Sequence, residues 1–266
     1  MNTTDELKAH RIVRAYLDRV GRVGAAAARR IYLVSYPRSG STLVRKYLSI
    51  LQGCPQRSIY HDDVVDAATI ALTRALDHVE VIKSHRLPPG DDDIIYIVRD
   101  GRNATLSFLY LSFLSGGHRL TKLSEAWDGI RQLDEVEGSW GEHVARALGE
   151  RGRRRILFVR YEDLIRNPHD EMTRIACFMA ADLPSEVIAS CLRLASSWDG
   201  YSRKPLSGYT YEPDPGSIYD LLKRYRGEDY WRHIFDSRCR SHFHERGGTG
   251  PLLHFDYERS TDWWKE

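Results

Sequence analysis

Between Ile31 and Leu51 the sequence reads as strand, tight loop and helix, and this stretch restricts the fold more than any other. Ile31-Tyr32-Leu33-Val34-Ser35 is a short β-rich apolar run. Tyr36 to Ser41 is a turn containing Pro and Gly, and from Thr42 to Leu51 the residues Leu43, Tyr47 and Leu51 share one helical face. In a strand–loop–helix unit the N–H groups of the loop and the helix start converge, and the helix dipole favours an anion there. Arg38 adds charge-assisted donors, Ser39, Ser41 and Thr42 add hydroxyls, and Gly40 lets the backbone come close. A nucleoside-triphosphate loop would read G-x-x-x-x-G-K-[ST]. Here the opening glycine is missing and no lysine precedes Ser41, so the architecture is P-loop-like without the lysine and magnesium-ligand pattern of NTPases.

The remaining chain repeats the alternation. Apolar runs at Val79–Lys83, Ile94–Val98 and Ile156–Val159 predict strands. Helices are expected over about Leu7–Arg30, Asn103–Leu114, Ser124–Glu150 (one or two), His169–Met179 and Ser185–Leu194. Unalternating strands separated by helices predict an α/β fold, three-layer, with a mostly parallel central sheet of roughly five strands. A chain of 266 residues is long enough to bury a full core, and we read 1–266 as a single domain. Within it, 1–30 is expected as a peripheral N-terminal helix. The segment 197–217, rich in Pro, Gly and Tyr, is expected as a substrate-facing lid or as packed surface coil.

Bulk charge excludes a polyanion-wrapping role: 39 basic against 37 acidic residues leave a formal charge of +2. Cys54, Cys177, Cys191 and Cys239 have no metal-ligand or redox spacing, and read as free thiols in a reducing compartment. With no apolar stretch of membrane length and no signal-like start, a cytoplasmic protein is expected.

A second anion-binding segment follows the Ile94–Val98 run. Arg99 ends a strand and Ser107 lies eight positions on, in the next helix. The switch-point side of an open sheet can bring both to one ligand; the plainer reading is a surface Arg and a helix-capping Ser. Between the two segments, Lys83 ends a strand and His85 lies just beyond it. Histidine accepts a proton near neutral pH, and lysine neutralises anionic oxygens.

Together these segments resemble the sulfotransferases that use 3′-phosphoadenosine 5′-phosphosulfate (PAPS). Tyr36-Pro37-Arg38-Ser39-Gly40-Ser41-Thr42-Leu43 resembles their loop Tyr-Pro-Lys-Ser-Gly-Thr-Thr-Trp. Arg38 stands where cytosolic members have Lys, and Leu43 where they have Trp. The resemblance implies that Arg38, Ser39, Gly40, Ser41, Thr42 and Leu43 bind the 5′-phosphosulfate side, with Leu43 near the adenine. It implies that Arg99 and Ser107 hold the 3′-phosphate. Lys83-Ser84-His85 is similar to the family's Lys-Thr-His, which makes His85 the catalytic base and Lys83 its electrostatic partner beside Arg38. Tyr161-Glu162-Asp163 resembles the family's Tyr-Glu-Asp block and implies Tyr161 on the adenine side; Asp163 reads as a cap of the next turn and Glu162 as structural. The resemblance implies a last element of the 3′-phosphate site at Arg226-Gly227, with Arg203-Lys204 as its competitor.

The function implied is transfer of the sulfuryl group from PAPS to a hydroxyl or amine of a small-molecule acceptor, releasing adenosine 3′,5′-bisphosphate (PAP), with no metal. Neither nucleic-acid binding nor a membrane span is expected, and a homodimer through the N-terminal helix or the aromatic tail is left open. The rivals are a P-loop-type small-molecule or nucleotide kinase, which would need the missing loop lysine, and a non-catalytic nucleotide-binding module, against which Lys83 and His85 both argue.

Overall fold

The computed structural model describes residues 3–20, 29–52, 57–58, 79–114, 126–181, 183–197 and 229–265. Its elements run α1 (Thr3–Val20), β1 (Arg29–Ser35), α2 (Ser41–Gln52), β2 (Arg57–Ser58), β3 (Val79–Ser84), β4 (Asp93–Val98), α3 (Gly101–Leu114), α4 (Ala126–Glu137), α5 (Trp140–Gly149), β5 (Ile156–Arg160), α6 (Tyr161–Arg166), α7 (Pro168–Phe178), α8 (Ser185–Ser197), α9 (Ser237–Glu245) and α10 (Thr249–His254). The five strands form one sheet in the order β2-β3-β1-β4-β5. β1 pairs in parallel with β3 on one side and β4 on the other, and β2 pairs in parallel with β3. The chain is thus an α/β protein with a largely parallel central sheet.

Burial explains why the strands read as unbroken apolar runs. Ile31 and Leu33 of β1 join Ile95 and Ile97 of β4 in one core cluster, while the intervening Val34, Ile94 and Tyr96 are also fully buried. At these positions the strands are covered on both faces, which favours apolar residues without alternation. The same cluster takes in Val44 and Leu48 of α2, Val187, Ile188 and Cys191 of α8, and Ala9 and Val13 of α1.

The chain sorts into two compact units that interleave in sequence. The first comprises Met1–Ser35, Gly40–Ile97 and Gly152–Ser202, and holds the sheet; the second comprises Tyr36–Ser39, Val98–Arg151 and Arg203–Glu266. The second has its own aromatic core, in which Trp140 stacks on Phe243 and Trp231 meets Trp263 edge-on.

One boundary differs from the sequence expectation. α1 is described as far as Val20, and Arg29 and Arg30, expected at the end of that helix, belong to β1, held in the ladder opposite Val79 and Glu80. The side chain of Arg29 also pairs with Asp93, so tertiary contacts override the helical bias of the arginines. In addition, α1 carries a buried face, with Ala9 and Val13 inside the core, while Leu7 is exposed. No described helix is long and apolar enough to cross a membrane.

Three described cysteines are free thiols. Burial pushes the Cys191 thiol up to about 12, and burial with Asp236 nearby raises Cys239 further, whereas Cys177 is exposed. The thiolate is the reactive form, so in the native protein iodoacetamide at mildly alkaline pH should modify Cys177 at least about tenfold faster than Cys191 or Cys239. Peptide mass mapping of partially alkylated protein checks this.

Candidate active site

The loop after β1 is built on two left-handed residues. Arg38 has φ of 68° and Gly40 has φ of 101°, flanking Ser39. Alternating backbone handedness turns successive N–H groups toward one side, the geometry of an anion-binding concavity. A left-handed arginine costs on the order of 1 kcal/mol and persists only where its surroundings over-determine it. Here they do: Arg99 Nη1 donates to the Arg38 carbonyl at 3.1 Å, and Arg38 Nε donates to Ser107 Oγ at 3.1 Å. Tyr36, 1% exposed, anchors the loop start edge-on against Phe108 and His143.

In α2 the first donors with intrahelical partners are Leu43 and Val44, both bonded to the Gly40 carbonyl. The N–H groups of Ser41 and Thr42 therefore sit at the open end of the helix. Ser39 Oγ is fully buried and makes no hydrogen bond among the described residues. A buried hydroxyl without a partner is costly unless a ligand oxygen satisfies it. The site is thus chemically suited to a phosphate or sulfate group.

Gly40 has a second reason to be glycine. A Cβ placed there would collide with the Tyr161 ring, which opens α6 just after β5. Tyr161 therefore packs under the loop. Leu43 is half-buried against the main core cluster. Asp163 does not cap α6, which has no side-chain cap; its carboxylate faces Arg160 at 3.7 Å, one turn back.

At the neighbouring strand end, Lys83 continues the row Val79, Val81 of β3 and is 8% exposed, opposite Leu33 of β1. Two residues on, His85 Nδ1 lies 2.9 Å from the Ser35 carbonyl oxygen and 3.4 Å from Ser35 Oγ. A carbonyl only accepts, so Nδ1 carries the proton and donates. The lone pair of the neutral ring is then on Nε2. This orienting contact has no sequence signature, because the partner is a backbone carbonyl; the only clue is that Ser35 ends the strand beside β3.

The second anion segment is equally ordered. Asp100 precedes α3 and accepts at Oδ1 from the N–H of Arg102 at 2.9 Å, while its carbonyl takes the first helical bond, from Ala104. Ser107 Oγ, accepting from Arg38, keeps its own O–H as a donor. The structure thus brings together Arg38, Arg99 and Ser107, three of the residues the sequence singles out. Arg226-Gly227, Arg203-Lys204 and most of the 197–217 segment lie outside the described residues. Sequence reasoning missed Arg102, a fully buried arginine in the middle of this segment.

Comparison with known proteins accords with this arrangement. The family model described as "Sulfotransferase domain" matches residues 28–246. The chain is 25% identical over 202 residues to mouse sulfotransferase 1 family member D1, covering 68% of each chain. It is 26% identical over 210 residues to human sulfotransferase 1E1, covering 69% of this chain and 70% of the relative. Among solved structures, mouse sulfotransferase SULT7A1 complexed with PAP superposes with a TM-score of 0.57 at 19% identity, over 95% of this chain and 91% of that one. Retinol dehydratase in complex with androsterone and inactive cofactor PAP gives a TM-score of 0.57 at 16% identity, over 96% and 88%. Since the family match spans most of the chain and begins just ahead of the β1–loop–α2 unit, the chain belongs to the PAPS-dependent sulfotransferase family and is an enzyme of sulfuryl transfer to a small-molecule hydroxyl or amine.

Proposed function

We propose that His85 is the general base of this transfer, that Arg38 to Thr42 hold the 5′-phosphosulfate of PAPS, and that Arg99 and Ser107 hold its 3′-phosphate. The observation that carries the reading is the Nδ1 contact of His85 with the Ser35 carbonyl, one residue before the loop. It fixes the tautomer with Nε2 as the proton acceptor, and it holds the ring at the strand end where the loop begins. When bound, PAPS supplies the sulfuryl group and a phosphate leaving group. The protein's part is to bind, to orient and to move one proton: Nε2 of His85 takes it from the acceptor's O–H or N–H as the acceptor attacks. Lys83 and Arg38 supply fixed positive charge, and Ser39 Oγ and the helix-start N–H groups supply donors, for oxygens that gain charge on the way.

Tyr161 contributes from beneath the loop, through its packing on Gly40. We assign Arg226-Gly227 to the far side of the 3′-phosphate on the strength of the sequence resemblance. The acceptor is a small molecule, and a reducing, cytoplasmic setting accords with the free thiols Cys177, Cys191 and Cys239.

A ligand panel tests the nucleotide assignment without any acceptor. At about 100 times its Kd a ligand adds about 2.7 kcal/mol of stability, a Tm rise of roughly 5–10 °C for a domain of this size. PAP should produce that rise at concentrations where ATP and 5′-AMP produce little. Equal stabilisation by ATP, with no advantage for PAP, favours the kinase reading and overturns this one.

A further inference from the structure

Arg102 is 1% exposed and donates from all three guanidinium nitrogens. Nε reaches Asp100 Oδ1 at 3.0 Å, and Nη2 reaches Asp100 Oδ2 at 2.7 Å and the Tyr257 carbonyl at 3.1 Å. Nη1 donates to Glu258 Oε2 at 2.7 Å. The guanidinium lies 3.8 Å from the centre of the Trp231 ring and 4.9 Å from that of Trp263. The Tyr230 hydroxyl donates to the Asn103 carbonyl, and the Tyr257 hydroxyl to the Val98 carbonyl at 3.4 Å. The turn between β4 and α3, which carries Arg99 and leads into the helix that carries Ser107, is therefore tied to a segment more than 120 residues away. Trp231 aside, the groups around Arg102 from that segment (Tyr257, Glu258 and Trp263) lie beyond residue 246, where the family match ends.

We propose that Glu258 is a positioning residue for the 3′-phosphate site, acting through Arg102 and Asp100 on Arg99. The inference rests on the assignment of Arg99 and Ser107 to that phosphate. The chemistry has one chain of command. Asp100 caps α3 and is clamped on both oxygens by Arg102; Arg102 is held in plane by Glu258, the Tyr257 carbonyl and the two indoles. Arg99 is the residue next to this clamp, and its Nη1 contact with the Arg38 carbonyl requires the strand end to stay in place. A guanidinium holding two carboxylates makes strong, directional bonds, and the fork geometry fixes orientation as well as energy. Loss of the Glu258 bond lets Arg102 swing within its indole slot and loosens the Asp100 cap, which re-aims Arg99 without removing any group that touches the nucleotide. Glu258 itself is 17% exposed, so water can enter where its carboxylate is removed.

The test compares PAP with 5′-AMP by isothermal titration, because the two differ only in the 3′-phosphate. In Glu258→Ala the Kd for PAP should rise about tenfold while that for 5′-AMP stays within about twofold, the size expected for one lost charge-assisted bond acting indirectly. Glu258→Gln keeps an acceptor oxygen and the side-chain volume, and should recover most of the preference for PAP. If Glu258→Ala does not fold, Glu258→Gln decides, with a selective loss of about twofold to threefold expected from the weaker neutral bond. Equal weakening of both nucleotides, or no change in either, overturns the inference, since a general loosening has no reason to single out the 3′-phosphate. A wild-type protein that fails to prefer PAP over 5′-AMP overturns the site assignment itself, and this inference with it.

Discussion

Replacement of His85 by alanine should lower kcat by about 10²- to 10⁴-fold, the range lost with a positioned general base. Binding of PAP should stay within a few-fold of wild type, because the imidazole is held by the Ser35 carbonyl and, on our assignment, serves the acceptor rather than the nucleotide. The two readouts separate the base role from a structural one. A histidine that merely braced the end of β1 would, when removed, disturb the adjoining Tyr36–Thr42 loop and weaken PAP together with turnover. Single-turnover rates with saturating PAPS and a phenolic or alcoholic acceptor, beside PAP titration, give the answer. Turnover within about threefold of wild type would take His85 out of the chemistry.

Gly40→Ala should destabilise the fold by about 2–5 kcal/mol, combining a left-handed backbone penalty with overpacking. Gly40 sits at φ of 101°, and an added methyl would run into the Tyr161 ring. The two causes are separable. In Gly40→Ala/Tyr161→Ala the collision is relieved but the backbone penalty remains, so the double variant should regain the packing part of the loss relative to Tyr161→Ala alone. Urea unfolding of the four proteins in the cycle measures the coupling. Strict additivity would mean that the tyrosine ring moves aside at no cost and that Gly40 is set by its backbone alone.

The parts of this protein legible in the sequence are those whose cause is local. The centre of β1 and nearly all of β4 announce themselves as apolar runs because both faces of the sheet are buried there. The loop from Tyr36 to Thr42 is legible because its demands, a tight turn, hydroxyls and a cation, fall on consecutive residues. β2 is illegible in sequence because Arg57 and Ser58 carry no apolar signal; only pairing with Ile82 and Lys83 makes them a strand. Asp163 reads as a cap in sequence, yet its carboxylate faces Arg160 one turn back and the helix has no side-chain cap. Arg102 was hidden for the same reason at longer range. Its burial depends on Glu258 and two tryptophans that no window around residue 102 contains. The Arg38–Ser107 bond is equally illegible, although each residue stands out separately: side-chain reach across 69 positions is a property of the folded protein.

Ala9 and Val13 lie in the same core as Val187, Ile188 and Cys191 of α8, although the helix that carries them lies wholly ahead of the matched family region, which begins at residue 28. A recombinant fragment cut to the recognisable boundaries would strip an apolar stripe from α8 and leave greasy side chains facing water. Anyone trimming this enzyme for crystals or for display on a carrier should keep its first twenty residues, and fusion partners belong ahead of Thr3, on a linker long enough to leave that helix seated.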